Sequence, residues 1–278
     1  MPTCPDMSLG LARRMVTLTS AFYREQAASF SATRQSAWPG WERLLELLPP
    51  DPPSLGVVDV ACGNQRLGRF LKERLPHTQL SYVGVDNCRP LAGDAPLVEV
   101  DVARTLLERP LLLDLPEADV AVSFGFMHHL PTAAARERLL ASLVAAVRPG
   151  GLAVVSLWRF MDDDSLAAKA RTTTARALGA LGLARGELGA NDYLLGWQGR
   201  PGAYRFCHYV DDDEVRALTR AVPSAQPVGT FPADGHGGDL NTYLVLRRKG
   251  ATSPNGKSVP PAQIMESFSH RGPKMGSS

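Results

Sequence analysis

Asp59-Val60-Ala61-Cys62-Gly63-Asn64-Gln65 stands between the end of an apolar run, Val57 to Val60, and the start of a helical pattern at Arg66. A short β-branched run that ends in an acid, turns at a glycine and enters a helix is the opening unit of an α/β sheet. Gly63 lets the backbone turn tightly and approach a ligand. The helix N-terminus behind it offers free N–H groups to an anion. Outward from this unit, β-rich runs alternate with helical ones. Tyr82 to Val85, Leu97 to Val100, Val120 to Phe124 and Leu152 to Leu157 read as strands. Ala133 to Val147 reads as a helix that stops at Arg148-Pro149-Gly150-Gly151. Such alternation predicts an α/β, Rossmann-like, doubly wound sheet of about seven strands. Thr242 to Leu246 is expected as a last, antiparallel strand, paired in a terminal hairpin with a strand near Val228. Amino-terminal helices are expected on either side of Trp38-Pro39-Gly40-Trp41, with further helices over Leu166 to Leu181 and Asp211 to Ala221.

A chain of 278 residues accommodates one sizeable α/β core with decorations. The expected division is a flexible start over residues 1–19, a catalytic domain over 20–249 whose insert 160–210 forms a substrate lid, and a disordered tail over 250–278. The tail is rich in Ser, Pro and Gly and lacks apolar periodicity. Hydrophobic residues at 44% and charged residues at 21% exclude a disordered chain or a membrane protein. No apolar run approaches the ~20 residues of a bilayer span, and no secretory signal is recognisable at the start, so a cytoplasmic protein is expected. The four cysteines, Cys4, Cys62, Cys88 and Cys207, form no close pair for zinc or redox chemistry. The formal net charge is +2, and Lys257, Arg271 and Lys274 against Glu266 in the tail account for it. The balanced remainder argues against broad nonspecific nucleic-acid binding but leaves room for a local basic face.

In an open α/β sheet, ligands bind outside the carboxyl ends of the strands, where the strand order reverses. Asp59, Ala61, Gly63, Asn64 and Gln65 lie at the first such end, Asp86 at the second and Asp101 with Val102 at the third. Asp86, 23 residues after Gly63, is placed to accept from ribose hydroxyls. Asp101 is placed to accept from an adenine amino group, with Val102 against the ring. A dinucleotide site would require G-x-G-x-x-G, and this loop lacks the second and third glycines. S-adenosyl-L-methionine, which has no pyrophosphate, is the better match. The pattern D-x-[AG]-C-G followed by an acid at the next strand end resembles the class I S-adenosylmethionine-dependent methyltransferases. That family usually has glycine where this chain has Gln65. The resemblance also implies that Tyr23 and Phe124 touch the cofactor.

Further motifs narrow the resemblance. Phe22-Tyr23 through Thr33-Arg34 to Trp38-Pro39, His128-His129-Leu130 after the fourth strand, Pro149-Gly150-Gly151 before a strand ending in Trp158, and Arg205-Phe206-Cys207-His208-Tyr209 lie in this order. Together they resemble the tRNA methyltransferases that esterify 5-carboxymethyluridine at the wobble position. Phe206 and Cys207 depart from that pattern, which has two tyrosines there. The resemblance implies tRNA as substrate and a small zinc-ribbon activator protein as partner. It casts Arg34, Arg205 and His208 as the residues that act on the acceptor. A carboxylate is already ionised at pH 7 and needs no general base. No residue is assigned to a metal, since the adjacent His128 and His129 lack a carboxylate at ligand spacing. Two other readings stay open: a small-molecule O- or N-methyltransferase of biosynthesis, and a non-catalytic binding protein of the same fold, for which Gln65 speaks.

Overall fold

The computed structural model describes residues 7–250. Helix α1 (Leu9–Ala32) starts at Ser8, whose hydroxyl accepts from the Leu11 N–H, and α2 (Pro39–Leu45) starts at Trp38 with a proline in its first turn. The alternating core follows: β1 (Ser54–Val60), α3 (Arg66–Arg74), β2 (Gln79–Asp86), α4 (Arg89–Ala92), β3 (Val98–Glu99), α5 (Val102–Glu108), β4 (Ala118–Ser123), α6 (Ala133–Ala146) and β5 (Val147–Trp158). After β5 come α7 (Asp164–Leu181), β6 (Asp192–Leu195), β7 (Arg205–His208), α8 (Asp212–Ala221), β8 (Ala225–Ala233) and β9 (Asn241–Arg248).

The main sheet has the order β3-β2-β1-β4-β5-β9-β8. Its first five strands run parallel, and β9 is antiparallel to both β5 and β8, as the terminal hairpin was expected to be. The strand order reverses between β1 and β4, which puts the ligand crevice above the loop that follows β1. Strand β1 also explains why its sequence is almost continuously apolar. Leu55 and Val57 point into one cluster with Trp41, Phe70 and Tyr243, while Val58 and Val60 point into another with Leu139 and Leu140. Helices cover both faces of the sheet, so a period-2 strand needs apolar residues at every position.

The expected flexible start does not hold over residues 9–19. They are the first turns of α1, and Ala12, Met15 and Val16 are buried against Leu178 of α7, Leu194 of β6 and Phe206 of β7. The partners of α1 come from distant parts of the chain, Leu107 of α5 and Leu91 of α4 as well as α7, β6 and β7. The expected tail lies outside the described residues except for Gly250. The glycine-rich segment after α7 carries the antiparallel pair β6–β7, with Asp192 opposite His208 and Leu195 opposite Arg205. Among the described residues, no helix is long and apolar enough to cross a membrane.

One contact locks the amino-terminal helices onto the far end of the sheet. The Gly40 N–H donates to Asp234 Oδ1 at 2.9 Å, and Asp234 Oδ2 accepts from Asn241 Nδ2 at 2.8 Å and from the Tyr243 hydroxyl at 2.7 Å. A Cβ on Gly40 would come within 2.3 Å of the Tyr243 ring, so only glycine lets α2 approach this closely.

Candidate active site

The loop after β1 takes an unusual backbone path. Ala61, Gly63 and Gln65 have φ of 61°, 53° and 55°, all left-handed, and the Ala61 and Cys62 N–H groups donate back to Val85 O at 2.7 and 3.2 Å. Alternating left-handed residues make the chain concave and gather its N–H groups on one side. Asp86 holds this loop in place. Its Oδ2 accepts from the Gly63 N–H at 2.9 Å and its Oδ1 from the Cys88 N–H at 2.8 Å. Asp59 accepts from the Tyr82 hydroxyl at 2.6 Å. Burial pushes the Asp59 carboxyl up to about 7 and raises that of Asp86 as well. Neither acid has an ion-pair partner among the described residues.

A cavity of about 260 Å³ opens above these strand ends. It is lined by the sequence-assigned Asp59, Ala61, Gly63, Asn64, Asp86 and Asp101. Val102, Phe124, Tyr23, Arg34 and Arg205 line it too. Two assigned residues do not. Gln65 turns away, its Nε2 donating to Pro96 O at 2.6 Å and its amide group resting against Gly84. The side chain feared as an obstruction therefore fills a gap under β2, and its left-handed backbone does what glycine does elsewhere. His208 lies off the cavity, with Nδ1 2.7 Å from Asp192 Oδ1 and Nε2 2.7 Å from Glu214 Oε2. Glu214 also accepts from Arg136 at 2.5 Å. Burial and Arg136 oppose the charged imidazole, yet the two carboxylates prevail and raise its pKa. His208 is thus a structural tie between β7, α6 and α8 rather than a group that reaches the cavity.

The end of the cavity next to His129 is assembled from distant parts of the chain. His129 sits on a short turn after β4, with Nδ1 2.7 Å from Phe206 O and Nε2 2.7 Å from the Tyr23 hydroxyl. A carbonyl only accepts, so Nδ1 carries the proton and Nε2 accepts from Tyr23. Burial together with Arg205 presses the His129 pKa down to about 3, and His128, likewise buried, lies well below its ordinary value. Among the described residues, the Nδ1 of His128 has no hydrogen-bond partner. His128, His129 and Cys207 bring possible ligand atoms within 4.8 Å of one another. Both His129 nitrogens are already engaged, burial pushes the Cys207 thiol up to about 12, and Arg205 adds positive charge alongside. That environment disfavours a cation.

Arg34 and Arg205 both lie against Trp197. Their guanidinium carbons are 5.5 and 5.8 Å from that ring, and each also stacks on a ring of α1, Arg34 on Phe30 at 3.6 Å and Arg205 on Phe22 at 4.8 Å. Neither arginine has an acid partner among the described residues, and Arg205 Nε is buried without any hydrogen bond. Burial, with Arg205 adding to it, lowers the Arg34 pKa. Trp197 escaped the sequence reading. A lone tryptophan inside Leu195-Gly196-Trp197-Gln198-Gly199 was the available signal, because a loop rich in glycine has no packing need for a large ring.

Comparison with a solved structure decides the architecture. The 1,6-didemethyltoxoflavin-N1-methyltransferase of Burkholderia thailandensis, solved with S-adenosylhomocysteine, superposes with a TM-score of 0.55 at 17% identity, over 89% of this chain and 93% of that one. This chain has the fold of the S-adenosylmethionine-dependent methyltransferases. No family model matches the sequence. Among curated proteins, the tRNA (carboxymethyluridine(34)-5-O)-methyltransferase ALKBH8 of Mus musculus is 32% identical over 143 residues, which is 49% of this chain and 19% of that protein. The tRNA (carboxymethyluridine(34)-5-O)-methyltransferase of Arabidopsis thaliana is 29% identical over 145 residues, 51% of this chain and 33% of that protein. The chain thus spans about a fifth to a third of the length of these relatives. In a methyltransferase fold, the concave loop, the paired buried acids and the open space at Gly63 suit the hydroxyls and cationic centre of S-adenosylmethionine. The donor set and the cofactor fit.

Proposed function

We propose that this chain is an S-adenosylmethionine-dependent methyltransferase that esterifies the carboxymethyl group of a modified uridine at the wobble position of tRNA. The observation that carries the reading is the couple Arg34 and Arg205, without a carboxylate partner among the described residues, on the wall of the same cavity that holds Gly63 and Asp86. Two partly buried cations left without acids repel each other, and an anionic acceptor relieves that repulsion while hydrogen-bonding to both. The named relatives methylate such an acceptor.

The cofactor, when bound, supplies a sulfonium methyl. Everything else falls to the protein. Asp86 and the loop from Ala61 to Asn64 hold the nucleoside and amino-acid ends, with Asp101, Val102, Tyr23 and Phe124 completing the cofactor's surroundings. Arg34 and Arg205 orient the acceptor carboxylate, and alignment of the reacting atoms supplies the rate gain. Neutral, weakly basic His128 and His129 suit this chemistry, because a carboxylate needs no base whereas a hydroxyl acceptor would. The methyltransferase domain covers residues 20–249 together with the first turns of α1, and the insert 160–210 serves as the lid that delivers Arg205. The resemblance of the motifs extends the reading to a cytoplasmic enzyme that works with a zinc-ribbon partner protein.

The test is transfer of labelled methyl from S-adenosylmethionine to tRNA containing 5-carboxymethyluridine, followed by nucleoside analysis. The expected product is an ester whose label is released by mild base. Label that enters only small molecules of a cell extract, with or without a zinc-ribbon protein, would refute it.

A further inference from the structure

Besides Arg34 and Arg205, two further cations near the mouth of the cavity, Arg66 and Arg69, have no assigned part in holding the cofactor or the acceptor carboxylate. Arg66 and Arg69 lie on the first turn of α3; Arg66 reaches toward the segment that follows α1 and Arg69 back onto the loop that follows β1. Arg66 Nη1 donates to Ser36 O at 2.7 Å, and Arg69 Nη1 to Asn64 O at 2.7 Å. Asn64 in turn donates to Arg34 O and to Ser31 Oγ, each at 3.1 Å. Arg34 and Arg66 line the cavity, and Arg69 adjoins them through its bond to Asn64. None of the three has a carboxylate partner among the described residues, whereas the nearby Arg74 pairs with Glu42 and Arg89 with Glu99. Burial, then Arg34 and Arg69, pull the Arg66 pKa down to about 10, which reflects the crowding of like charge.

The rim also offers aromatic surface. The Arg66 guanidinium carbon is 5.3 Å from the Trp38 ring and 5.4 Å from that of Trp41, and Trp38 reaches in as far as Gly125. A row of unneutralised guanidiniums beside a half-buried tryptophan is the chemistry that follows a single-stranded polynucleotide backbone. A protein with an otherwise balanced charge would concentrate its phosphate contacts in such a place.

We infer that Arg66 and Arg69 seat a phosphodiester of the RNA strand next to the nucleotide whose base enters the cavity. Arg34 connects this seat to the acceptor site. The inference rests on the tRNA reading above and adds to it the direction in which the strand leaves the cavity.

Binding of a tRNA anticodon stem-loop is measured by fluorescence anisotropy from 50 to 300 mM salt, for the unaltered chain and for Arg66→Ala, Arg69→Ala and, on the distant face of α8, Arg220→Gln. Thermal stabilisation by S-adenosylhomocysteine reports on folding and on the cofactor site in each variant. Loss of one phosphate contact lowers the slope of log affinity against log salt by about 0.7. The expected result is that reduction for Arg66→Ala and Arg69→Ala, together with a raised KM for the stem-loop and a retained kcat. Arg220→Gln keeps the original slope. An unchanged slope in both α3 variants, while the unaltered chain labels tRNA, overturns the inference and leaves the parent reading standing. Failure of the unaltered chain to label any tRNA overturns both.

Discussion

The two halves of the cavity are built in opposite ways. The cofactor half is local: the loop from Asp59 to Gln65 and the acid that holds it, Asp86, belong to adjacent strands, and backbone geometry does most of the shaping. The other half, where the acceptor is proposed to sit, is remote: His129 reaches Phe206 O across 77 positions and ties back to Tyr23, beside the cofactor, across 106, and Trp197 donates to Ser29 Oγ at 3.0 Å across 168. Backbone loops recur wherever the strand order reverses, whereas side chains brought from far apart are set by each protein's decorations. The first half thus belongs to the fold and the second to the substrate.

The sharpest way to break this division is Asp86→Ala. It leaves the Gly63 and Cys88 N–H groups without their acceptor, at about 1–3 kcal/mol for each buried group. The thermal shift on adding S-adenosylhomocysteine should vanish. If the shift persists, the loop is not held from β2 and the local picture is wrong.

Arg205→Ala tests the remote half. With cofactor stabilisation intact, kcat/KM for the carboxylate acceptor should fall roughly tenfold to hundredfold, the worth of a charged hydrogen bond. Arg205→Lys should recover only part of it, since an ammonium lacks the planar fork. Equal loss of cofactor binding in both variants would merge the two halves into one.

A pH series separates structure from chemistry at His208. Its folded pKa is raised above the unfolded value of about 6.5. Its contribution is therefore fully present below pH 6.5 and is lost as pH rises through the folded value. Glu214, whose pKa is lowered by His208 and Arg136 against the effect of burial, contributes in the opposite sense at acid pH. The stability advantage of the unaltered chain over His208→Gln should thus shrink from pH 6 toward pH 9 in chemical denaturation. A constant difference would mean that the imidazole is not the charged member of the buried trio.

Gln65→Gly should do least. It removes a left-handed non-glycine residue, worth about 1–2 kcal/mol, and loses the hydrogen bond to Pro96 O, worth about 1 kcal/mol. Stability should stay within about 1 kcal/mol of the original, and affinity for S-adenosylhomocysteine by calorimetry should not change. A gain of tenfold or more would mean that the glutamine does crowd the cofactor after all.

The same contrast governs what could be read before the structure. Strand ends, acids and the terminal hairpin were legible because period-2 apolar runs and the turn at Gly63 are short-range signals. The resemblance of motifs brought Arg34 and Arg205 into view as well. His208 was misjudged, because a histidine beside two acids looks the same in sequence whether its partners are a substrate or Asp192 and Glu214. Residues 9–19 were read as flexible since Met15 and Val16 find their cover far along the chain, in α5, α7, β6 and β7. The β6–β7 pair was missed because its strands are four residues each and are separated by glycines that suggest disorder.

The contact at Gly40 bears on how such a protein is rebuilt. Helix α2 can lie where it does only if position 40 lacks a side chain, Tyr243 stands on the last strand and Asp234 sits in the turn before it. A chimera that takes the first 48 residues from a relative must therefore take the matching β8–β9 turn as well, or the graft will meet a ring where it needs a hollow. Helix α2 and the β8–β9 turn form one interchangeable part.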